Sequence, residues 1–333
     1  MKALFYNFSK KKFLFKEIAI PKIKPDELLV KVKASALCGT DLHIMNGPLT
    51  PKVYNKKEII LGHSFTGVIV EVGNNVKNFK KEDRIFASTF IWCGVCQKCK
   101  EGKPNLCDHR FVLGMEKAGS HAEYISIPQR IAFHLPKRID FINGSLITDI
   151  LALDIHAIEK VNIRSSDRIL ILGTGPVGLI LGILLKLRGL KSVFIIEPIK
   201  YRQSLAKKLF RANIISKENI KKLKNRFDII FETSGDIKIL NYSQKLLKRG
   251  GSIIMIGVQS KKFNLNALKL ISRELSLFGV FVFRTQDIKN SLKLLSRKKN
   301  ILKKVITHKL PFKNGKKAYE LLKKKNVGRI ILF

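Results

Sequence analysis

The sequence predicts an α/β protein of two domains, an antiparallel β domain followed by a parallel sheet covered by helices. Before residue 130, short stretches alternate apolar and polar side chains and are separated by turn residues, a pattern typical of half-buried antiparallel strands. After about Asn143, apolar strands alternate with helical patterns, at a spacing typical of a parallel sheet. A length of 333 residues also fits two domains.

The individual elements follow from these two periodicities. In the first domain we predict strands at residues 28–34, 65–73 and 83–87, with a turn at 73–75. A helix is predicted over residues 144–160; it is followed by strands at 168–172, 192–197, 227–231, 252–256 and 275–281, and by helices at 177–188, 201–210 and 237–247. The predicted domain limits are 1–142 and 143–285. A final segment, 286–333, with a helix near 318–325 and a strand at 328–333, is expected to return to the first domain.

The chain is strongly basic, with 64 Lys and Arg against 25 Asp and Glu and a formal charge of +39. Such a charge suits a nucleic-acid or anionic-membrane partner, but it also arises by drift in an AT-rich genome. The basic residues are scattered along the chain and no aromatic residues interleave with them as a stacking platform. We therefore favour drift over nucleic-acid binding, and expect the charge to raise the local concentration of anionic ligands.

The sequence favours a cytoplasmic protein without membrane insertion. Its first residues lack the unbroken apolar core and small-residue cleavage site of a signal peptide. The longest apolar stretch, residues 169–185, is interrupted by a glycine-rich turn and is predicted to be strand, turn and helix. In this setting, the five cysteines indicate thiols or metal ligands and not disulfides.

Four of the cysteines form a compact cluster, Cys93, Cys96, Cys99 and Cys107. Four thiolates in one short loop can surround a tetrahedral Zn²⁺ at about 2.3 Å each, and a site closed by four protein ligands is structural. The flanking Gly94 suits a tight turn in this loop, residues 93–107. An iron–sulfur cluster and redox-active disulfides are the alternatives. We favour zinc because the last gap is long and another cofactor motif follows.

That motif begins at Gly173, in the pattern Gly-x-Gly-x-x-Gly between an apolar strand and a helix. Gly173 permits a tight turn, Gly175 lets the backbone approach a pyrophosphate, and Gly178 allows close helix–strand packing. Pro176 and Val177 begin the helix whose N-terminus is expected to hold the phosphates.

An acidic residue, Glu197, ends the next predicted strand. A carboxylate there accepts hydrogen bonds from both ribose hydroxyls and repels a 2′-phosphate, which favours NAD over NADP. Lys200 and Arg202 follow shortly afterwards and weaken this preference, so Arg202 is also a candidate cofactor contact.

A second metal site is indicated by the fifth cysteine, Cys38, and by His63. Alone, either residue is more often a packed core residue. Together, a thiolate and an imidazole on neighbouring loops can hold a catalytic zinc with an open coordination position.

The order of these motifs resembles that of the zinc-containing medium-chain dehydrogenases, which include alcohol, polyol and threonine dehydrogenases. The resemblance covers nearly the whole chain. It rests on Cys-Gly-Thr-Asp-x-His from Cys38, Gly62-His63, the four cysteines, the glycine motif, and the runs at 119–124, 231–235 and 273–279. It implies a GroES-like β-barrel catalytic domain and a Rossmann domain with a doubly wound parallel sheet.

The resemblance also implies roles for individual residues. Cys38 and His63 match catalytic zinc ligands, and Asp149 matches a position where polyol dehydrogenases carry a glutamate ligand or water-binding acid. Asp149 is therefore the expected third ligand, with an outer-shell role as the alternative. Asp41 matches a carboxylate that orients the ligand histidine. His156 is expected to be structural.

By the same resemblance, Thr40 matches the hydroxyl that takes the substrate proton, and His43 matches the histidine that passes it to solvent. The implied activity is hydride transfer from the CH–OH group of a small alcohol, polyol or sugar to NAD, with two zinc ions per chain. Oxidation of L-threonine is the alternative substrate choice. A non-catalytic relative that binds an anionic partner is a further alternative. A homodimer or homotetramer is expected.

The chain departs from the family pattern at several positions. Many relatives have glutamate after the ligand histidine, where this chain has Ser64, and proline after the third ligand, where it has Ile150. Val282 and Phe283 stand where sorbitol-type enzymes have arginine and tyrosine, which argues against a sorbitol-like substrate. For Arg329 the resemblance implies a contact with the cofactor phosphate, and an exposed surface arginine is the alternative.

Overall fold

The computed structural model describes residues 1–46, 49, 57–216, 218–258 and 261–333. Its N-terminal part is mostly strand. The strands are β1 (Lys2–Asn7), β2 (Lys12–Glu17), β3 (Glu27–Ala36), β4 (Glu58–Ile60), β5 (Ser64–Val72), β6 (Arg84–Ala87), β7 (Phe90–Ile91), β8 (Phe111–Val112), β9 (Tyr124–Pro128) and β10 (Ala132–His134). Short helices interrupt them at α1 (Gly39–Asn46), α2 (Gln97–Lys100) and α3 (Phe141–Gly144).

Helices and strands then alternate. The helices are α4 (Ala152–Ile158), α5 (Pro176–Leu187), α6 (Lys200–Phe210), α7 (Ile237–Ser243), α8 (Ala267–Ser272), α9 (Thr285–Leu302) and α10 (Gly315–Lys324). The strands are β11 (Ile169–Leu172), β12 (Val193–Ile196), β13 (Asn213–Ile214), β14 (Phe227–Glu232), β15 (Leu247–Met255), β16 (Ser276–Gly279), β17 (Ile306–Leu310) and β18 (Arg329–Leu332). Short 3₁₀ turns lie at Pro104–Leu106, Gln129–Ile131, Ile220–Lys222, Lys303–Val305 and Phe312–Asn314.

Two main sheets organise these elements. The first runs in the order β10-β6-β5-β3-β18-β17, with β9 also paired to β3, and its pairs are antiparallel except for β17 with β18. The second runs in the order β13-β12-β11-β14-β15-β16 and is parallel throughout. This order, which reverses at β11, is that of a doubly wound sheet. The predicted α/β fold class is therefore confirmed.

The C-terminal strand joins the first sheet and not the second. In the pairing of β18 with β3, Ile331 lies opposite Ala36, and the backbone N–H of Leu37 donates to Ile330 at 3.0 Å. Strand β18 thus lies beside the segment that leads directly to Cys38. The domain limits proposed from sequence remain a prediction.

The connection between the two sheets differs from the single predicted helix over 144–160. Residues Ile147–Leu151 form a π-helical turn, in which the N–H of Leu151 donates to the carbonyl of Leu146, five residues earlier, at 3.1 Å. Hydrophobic periodicity does not distinguish this turn from an α-helix. The turn matters because it carries Asp149.

The stretch Phe141–Ile158 is the one described helical segment long and apolar enough to cross a membrane, but 78% of it is buried inside the protein. Its apolar side chains are therefore accounted for by core packing. Within it, His156 is buried, and its Nδ1 lies 3.1 Å from Oδ2 of Asp287 at the start of α9. This contact joins α4 to α9.

Candidate metal and cofactor sites

Three of the predicted zinc ligands meet at one point. The donor atoms of Cys38, His63 and Asp149 all lie within 4.8 Å of one another. Oδ1 of Asp149 lies 3.8 Å from the sulfur of Cys38 and 3.5 Å from Nε2 of His63. A thiolate, an imidazole and a carboxylate at these separations suit a zinc ion with three protein ligands and one open position. The residues present therefore fit the metal that the sequence predicts.

Each donor is placed by a different part of the fold. Cys38 follows the end of β3, and its N–H donates to Oδ2 of Asp41 at 2.9 Å. His63 follows Gly62, whose φ of +91° belongs to the left-handed region that favours glycine. A Cβ on Gly62 would also lie 2.6 Å from the His121 ring. Asp149 lies on the π-helical turn. The donors thus come together only when the two halves of the chain pack.

The His63 ring lies between two carboxylates. Its Nε2 faces Asp149, while its Nδ1 lies 3.6 Å from Oδ1 of the fully buried Asp41. In the described part of the chain, neither Nδ1 nor that oxygen has a hydrogen-bond partner. A shift of a few tenths of an ångström would join them, and would fix the tautomer that leaves Nε2 free to bind a metal.

The charges around Asp149 favour its ionised form. Burial raises its pKa, but the charges of Arg329 and then His63 lower it more, so the pKa is below its ordinary value. Burial lowers the pKa of His63, but Asp149 raises it well above its ordinary value. The lowered pKa of Asp149 and the raised pKa of His63 both indicate that this buried cluster of acidic groups favours a positive charge beside it.

The cysteine cluster is also assembled. The sulfur atoms of Cys93, Cys96, Cys99 and Cys107 lie within 4.8 Å of one another, and those of Cys93 and Cys99 are 3.9 Å apart. All five cysteines of the chain are free thiols. Backbone N–H groups of Val95 and Cys96 point at the Cys93 sulfur and lower its pKa to about 6. Such a four-thiol cage suits one tetrahedral zinc ion.

The three-donor site opens into a cleft of about 340 Å³ between the two sheets. Thr40, His63 and Asp149 line one side of this cleft, and apolar residues that follow β15 and β16 line the other, among them Ile256 and Val280. Val282 and Phe283, the two departures from sorbitol-type enzymes, line it as well. An apolar wall opposite polar donors suits a small substrate beside a nicotinamide ring.

Thr40 and His43, the predicted proton-transfer residues, both lie on α1. Oγ1 of Thr40 lies 3.4 Å from the Cys38 sulfur, so its hydroxyl is beside the metal donors. His43 follows three residues later, which places it on the same face of the helix. Burial and then the charge of Lys325 lower the pKa of His43, so its imidazole is neutral and can accept a proton.

The glycine motif has the predicted backbone geometry. Gly173 has a φ of +87°, and a Cβ there would lie 2.8 Å from the Cβ of Ser234. A Cβ on Gly178 would lie 2.2 Å from the carbonyl oxygen of Gly173, so the helix packs closely only because a side chain is absent. Helix α5 begins at Pro176, where the missing N–H costs nothing, and Val177 follows it.

Glu197 and Arg202 lie beside this turn. Oε2 of Glu197 accepts hydrogen bonds from the Thr174 N–H and hydroxyl, while Oε1 accepts one from the Ile199 N–H at 3.0 Å and retains a lone pair. Nη1 of Arg202 would be 3.8 Å from a Cβ on Gly175, and its Nε donates to the carbonyl of Val327. A carboxylate and a guanidinium therefore flank the predicted nucleotide site.

Several residues of the site have roles or positions that the sequence analysis did not assign. Arg329 is 1% exposed and pairs with Asp149, so it is not a surface arginine as one of its two expected roles required. Asp108, Arg110 and Glu116 line the cleft. Asp108 follows Cys107 directly and Arg110 lies three residues after it, so their closeness to the cysteine loop is a usable signal, whereas Arg329 begins an apolar run with no local indication.

The fold and these sites define a zinc-binding dehydrogenase of two domains. Residues 24–137 match the family described as alcohol dehydrogenase GroES-like domain, and residues 176–297 match the family described as zinc-binding dehydrogenase. The chain therefore belongs to the zinc-containing medium-chain dehydrogenases, which are oxidoreductases that use zinc and a nicotinamide cofactor.

Individual relatives agree with this assignment. The chain is 30% identical to an L-threonine 3-dehydrogenase of Bacillus velezensis over 345 residues, covering 100% of this chain and 98% of the relative. An alcohol dehydrogenase from Escherichia coli CFT073, solved with NADH, is 26% identical with a TM-score of 0.86, covering 100% and 98%. A zinc-binding dehydrogenase from Sinorhizobium meliloti 1021, solved with NADP, shares the fold at 24% identity, with a TM-score of 0.85 and coverage of 100% and 98%.

Proposed function

We propose that this protein oxidises the CH–OH group of a small hydroxylated substrate by hydride transfer to NAD, at a zinc ion held by Cys38, His63 and Asp149. The observation that carries this proposal is the convergence of these three donors, within 4.8 Å of one another, beside a cleft between the two sheets. We propose a second, structural zinc in the four-cysteine cage, giving two per chain.

The chemistry divides between the bound groups and the protein. Zinc supplies a Lewis acid that makes a hydroxyl more acidic, and the nicotinamide ring supplies the hydride acceptor. Thr40 takes the hydroxyl proton, since its Oγ1 lies beside the metal donors. His43, held neutral in its partly buried position, passes the proton to solvent. Asp41 orients His63 from the side opposite the metal.

The choice of NAD over NADP follows from Glu197. This buried carboxylate is fixed by Thr174 and Ile199, and one oxygen keeps a lone pair for a ribose hydroxyl. A 2′-phosphate would place two further negative charges against it. Arg202 offsets part of this repulsion, because its guanidinium lies beside the same turn. We therefore propose that NADP is used, if at all, with lower efficiency.

For the substrate, alcohols, polyols and sugars are one class, and L-threonine is a second candidate that a specific observation favours. Besides the metal donors, the charged side chains that line the described part of the cleft are Arg110, Asp108 and Glu116. A cationic side chain suits the carboxylate of an amino acid, and an acidic side chain suits its ammonium group. A neutral polyol needs no charged partner of either sign. Threonine dehydrogenases among the relatives point the same way.

We also propose a homodimer or homotetramer. Within the described residues, β16 lies at an edge of the parallel sheet, and the neighbouring helix α8 exposes Leu268 and Ile271 by 75% and 74%. Large apolar side chains this exposed, beside an unpaired strand edge, favour contact with another chain.

The test follows NADH formation by absorbance in the zinc-replete protein, with L-threonine, simple secondary alcohols, polyols and sugars as substrates. Cys38→Ala should abolish turnover while the cysteine cage keeps its zinc. Thr40→Val should lower kcat by about 10²-fold or more, and Thr40→Ser, which keeps the hydroxyl, is its matched control.

The outcomes separate the alternatives. Turnover of one substrate class, lost in Cys38→Ala, supports the proposal and identifies the substrate. Absence of turnover in protein that binds only one zinc per chain would contradict it, and would favour the non-catalytic alternative. With two zinc ions bound and no turnover, the panel would be extended to other hydroxyl compounds.

A further inference from the structure

We infer that Arg329 is a positioning residue that fixes Asp149 as a one-oxygen metal ligand. This inference rests on the proposed role of Asp149 at the catalytic zinc. Nη2 of Arg329 donates to Oδ2 of Asp149, whereas Oδ1 is the oxygen that faces Cys38 and His63. The carboxylate is thus shared between a guanidinium on one side and the metal donors on the other.

The burial of Arg329 makes this contact obligatory. The residue is 1% exposed, and its Nε has no hydrogen-bond partner in the described part of the chain. A buried guanidinium without a counter-charge is strongly destabilising, so the fold keeps a carboxylate against it. Asp149 supplies that carboxylate, and the Cys38 sulfur lies beside the same guanidinium.

The backbone around Arg329 is held by strand pairing. Arg329 begins β18, whose following residues pair with β3 next to Cys38. Asp149 instead lies on the π-helical turn between the two sheets. The ion pair therefore links Asp149 to the strands that hold Cys38, although Arg329 and Asp149 are 180 positions apart in sequence.

Ser64 does not compete with Asp149 as an acidic partner for Arg329. The residue after His63 is neutral, and its hydroxyl donates to the carbonyl of Ser145 at 2.7 Å, so it adds no negative charge to the site. Because Arg329 holds Oδ2, Oδ1 is the oxygen that Asp149 presents beside the other metal donors. One coordination position then stays open for the substrate hydroxyl.

The inference is tested by metal binding, which needs neither substrate nor NAD. The variants are Arg329→Gln, Arg329→Lys, Asp149→Asn and the double variant Arg329→Gln/Asp149→Asn. Chelator competition measures the zinc affinity of each, and the zinc of the cysteine cage reports whether the variant is folded. Cobalt substituted at the catalytic site gives a visible absorption spectrum that reports its coordination.

We expect Arg329→Gln to weaken zinc binding at this site by about 10- to 100-fold, the usual effect of removing a group that orients a ligand. The double variant should bind zinc no more weakly than Asp149→Asn alone, because Arg329 acts through Asp149. Arg329→Lys keeps the charge but not the planar fork, so it should bind with intermediate affinity and a changed cobalt spectrum.

Wild-type zinc affinity in Arg329→Gln, or additive losses in the double variant, would overturn the inference. If Arg329→Gln loses the cage zinc and does not fold, the cobalt spectrum of Arg329→Lys decides: a change supports the inference and an unchanged spectrum overturns it. Wild-type affinity in Asp149→Asn would instead contradict the proposed ligand role of Asp149 itself.

Discussion

The carboxylate of Glu197 accepts two hydrogen bonds from Thr174, one from its backbone N–H at 2.7 Å and one from its hydroxyl at 3.1 Å. Thr174 is the residue between the first two glycines of the glycine motif. The contact therefore holds the end of β12 against the turn on which the cofactor pyrophosphate is proposed to lie, and it fixes a negative charge at the proposed ribose site.

Replacing Glu197 should change cofactor preference. Glu197→Gln keeps an acceptor for Thr174 but removes the charge, so the ratio of kcat/KM for NAD to that for NADP should fall by about 10-fold or more, since hydrogen bonds to a charged group contribute about 1.5–3 kcal/mol. Glu197→Ala removes the acceptor as well and should lower the NAD value further. An unchanged ratio in both variants would contradict the proposed role.

Removing one thiol of the cysteine cage should release its zinc. Cys99→Ser leaves three thiolates, too few to close the site, so metal analysis should fall to about one zinc per chain and the melting temperature should drop. The matched change at the other site, Cys38→Ser, should release the other zinc and abolish turnover, with a smaller effect on melting. Two zinc ions retained in Cys99→Ser would contradict a structural site here.

Asp154 should make stability depend on pH. It is fully buried, neither carboxylate oxygen has a hydrogen-bond partner among the described residues, and burial followed by the charge of Asp149 raises its pKa well above 3.8. Because the folded pKa exceeds the unfolded one, its contribution to stability is complete below 3.8 and declines as pH rises toward the folded pKa, by at most about 1.4 kcal/mol per pH unit.

Asp154→Asn removes that dependence. The variant should gain stability relative to the wild type as pH rises from about 5 to 8, measured by urea unfolding of the zinc-loaded proteins. A difference between the two proteins that stays constant over this range would show that Asp154 does not titrate as its burial predicts.

The exposed face of α8 should hold chains together. Leu268→Glu combined with Ile271→Glu introduces charges into the proposed contact, so light scattering should report a smaller mass than for the wild type. Leu187→Glu, at an apolar residue 40% exposed on α5, is the control and should leave the mass unchanged. An unchanged mass in the double variant would place the contact elsewhere.

Features that depend on neighbours in sequence were predictable. The strand–turn–helix around Gly173 and the spacing of the four cysteines are local patterns, and the structure shows the turn and brings the four sulfur atoms together. The sequence predicts a helix over 177–188, and helix α5 spans Pro176–Leu187. The conformation of a glycine-rich turn and the spacing of four nearby cysteines are both set by neighbouring residues, so they can be predicted without knowing which distant residues they contact.

Features that depend on distant residues have no local pattern, and the grouping of Cys38, His63 and Asp149 is predicted only through the resemblance to known dehydrogenases. The helix predicted to end at residue 247 ends at Ser243, because Leu247 begins β15 and pairs with Phe227. The strand predicted from residue 252 therefore starts five residues earlier, through two glycines that resemble a turn. The pairing of Arg329 with Asp149 joins residues 180 positions apart, each within an apolar run, so no local pattern marks it.

The pairing of β18 with β3 affects the order in which a growing chain can fold. The parallel sheet uses residues 169–279 and can form as soon as these have left the ribosome. The first sheet stays incomplete until residues 329–332 have been synthesised, because β3 pairs with them. The N-terminal part of the chain is therefore translated first but is among the last parts to reach its final structure. Until β18 is made, the edge of β3 that pairs with it is exposed.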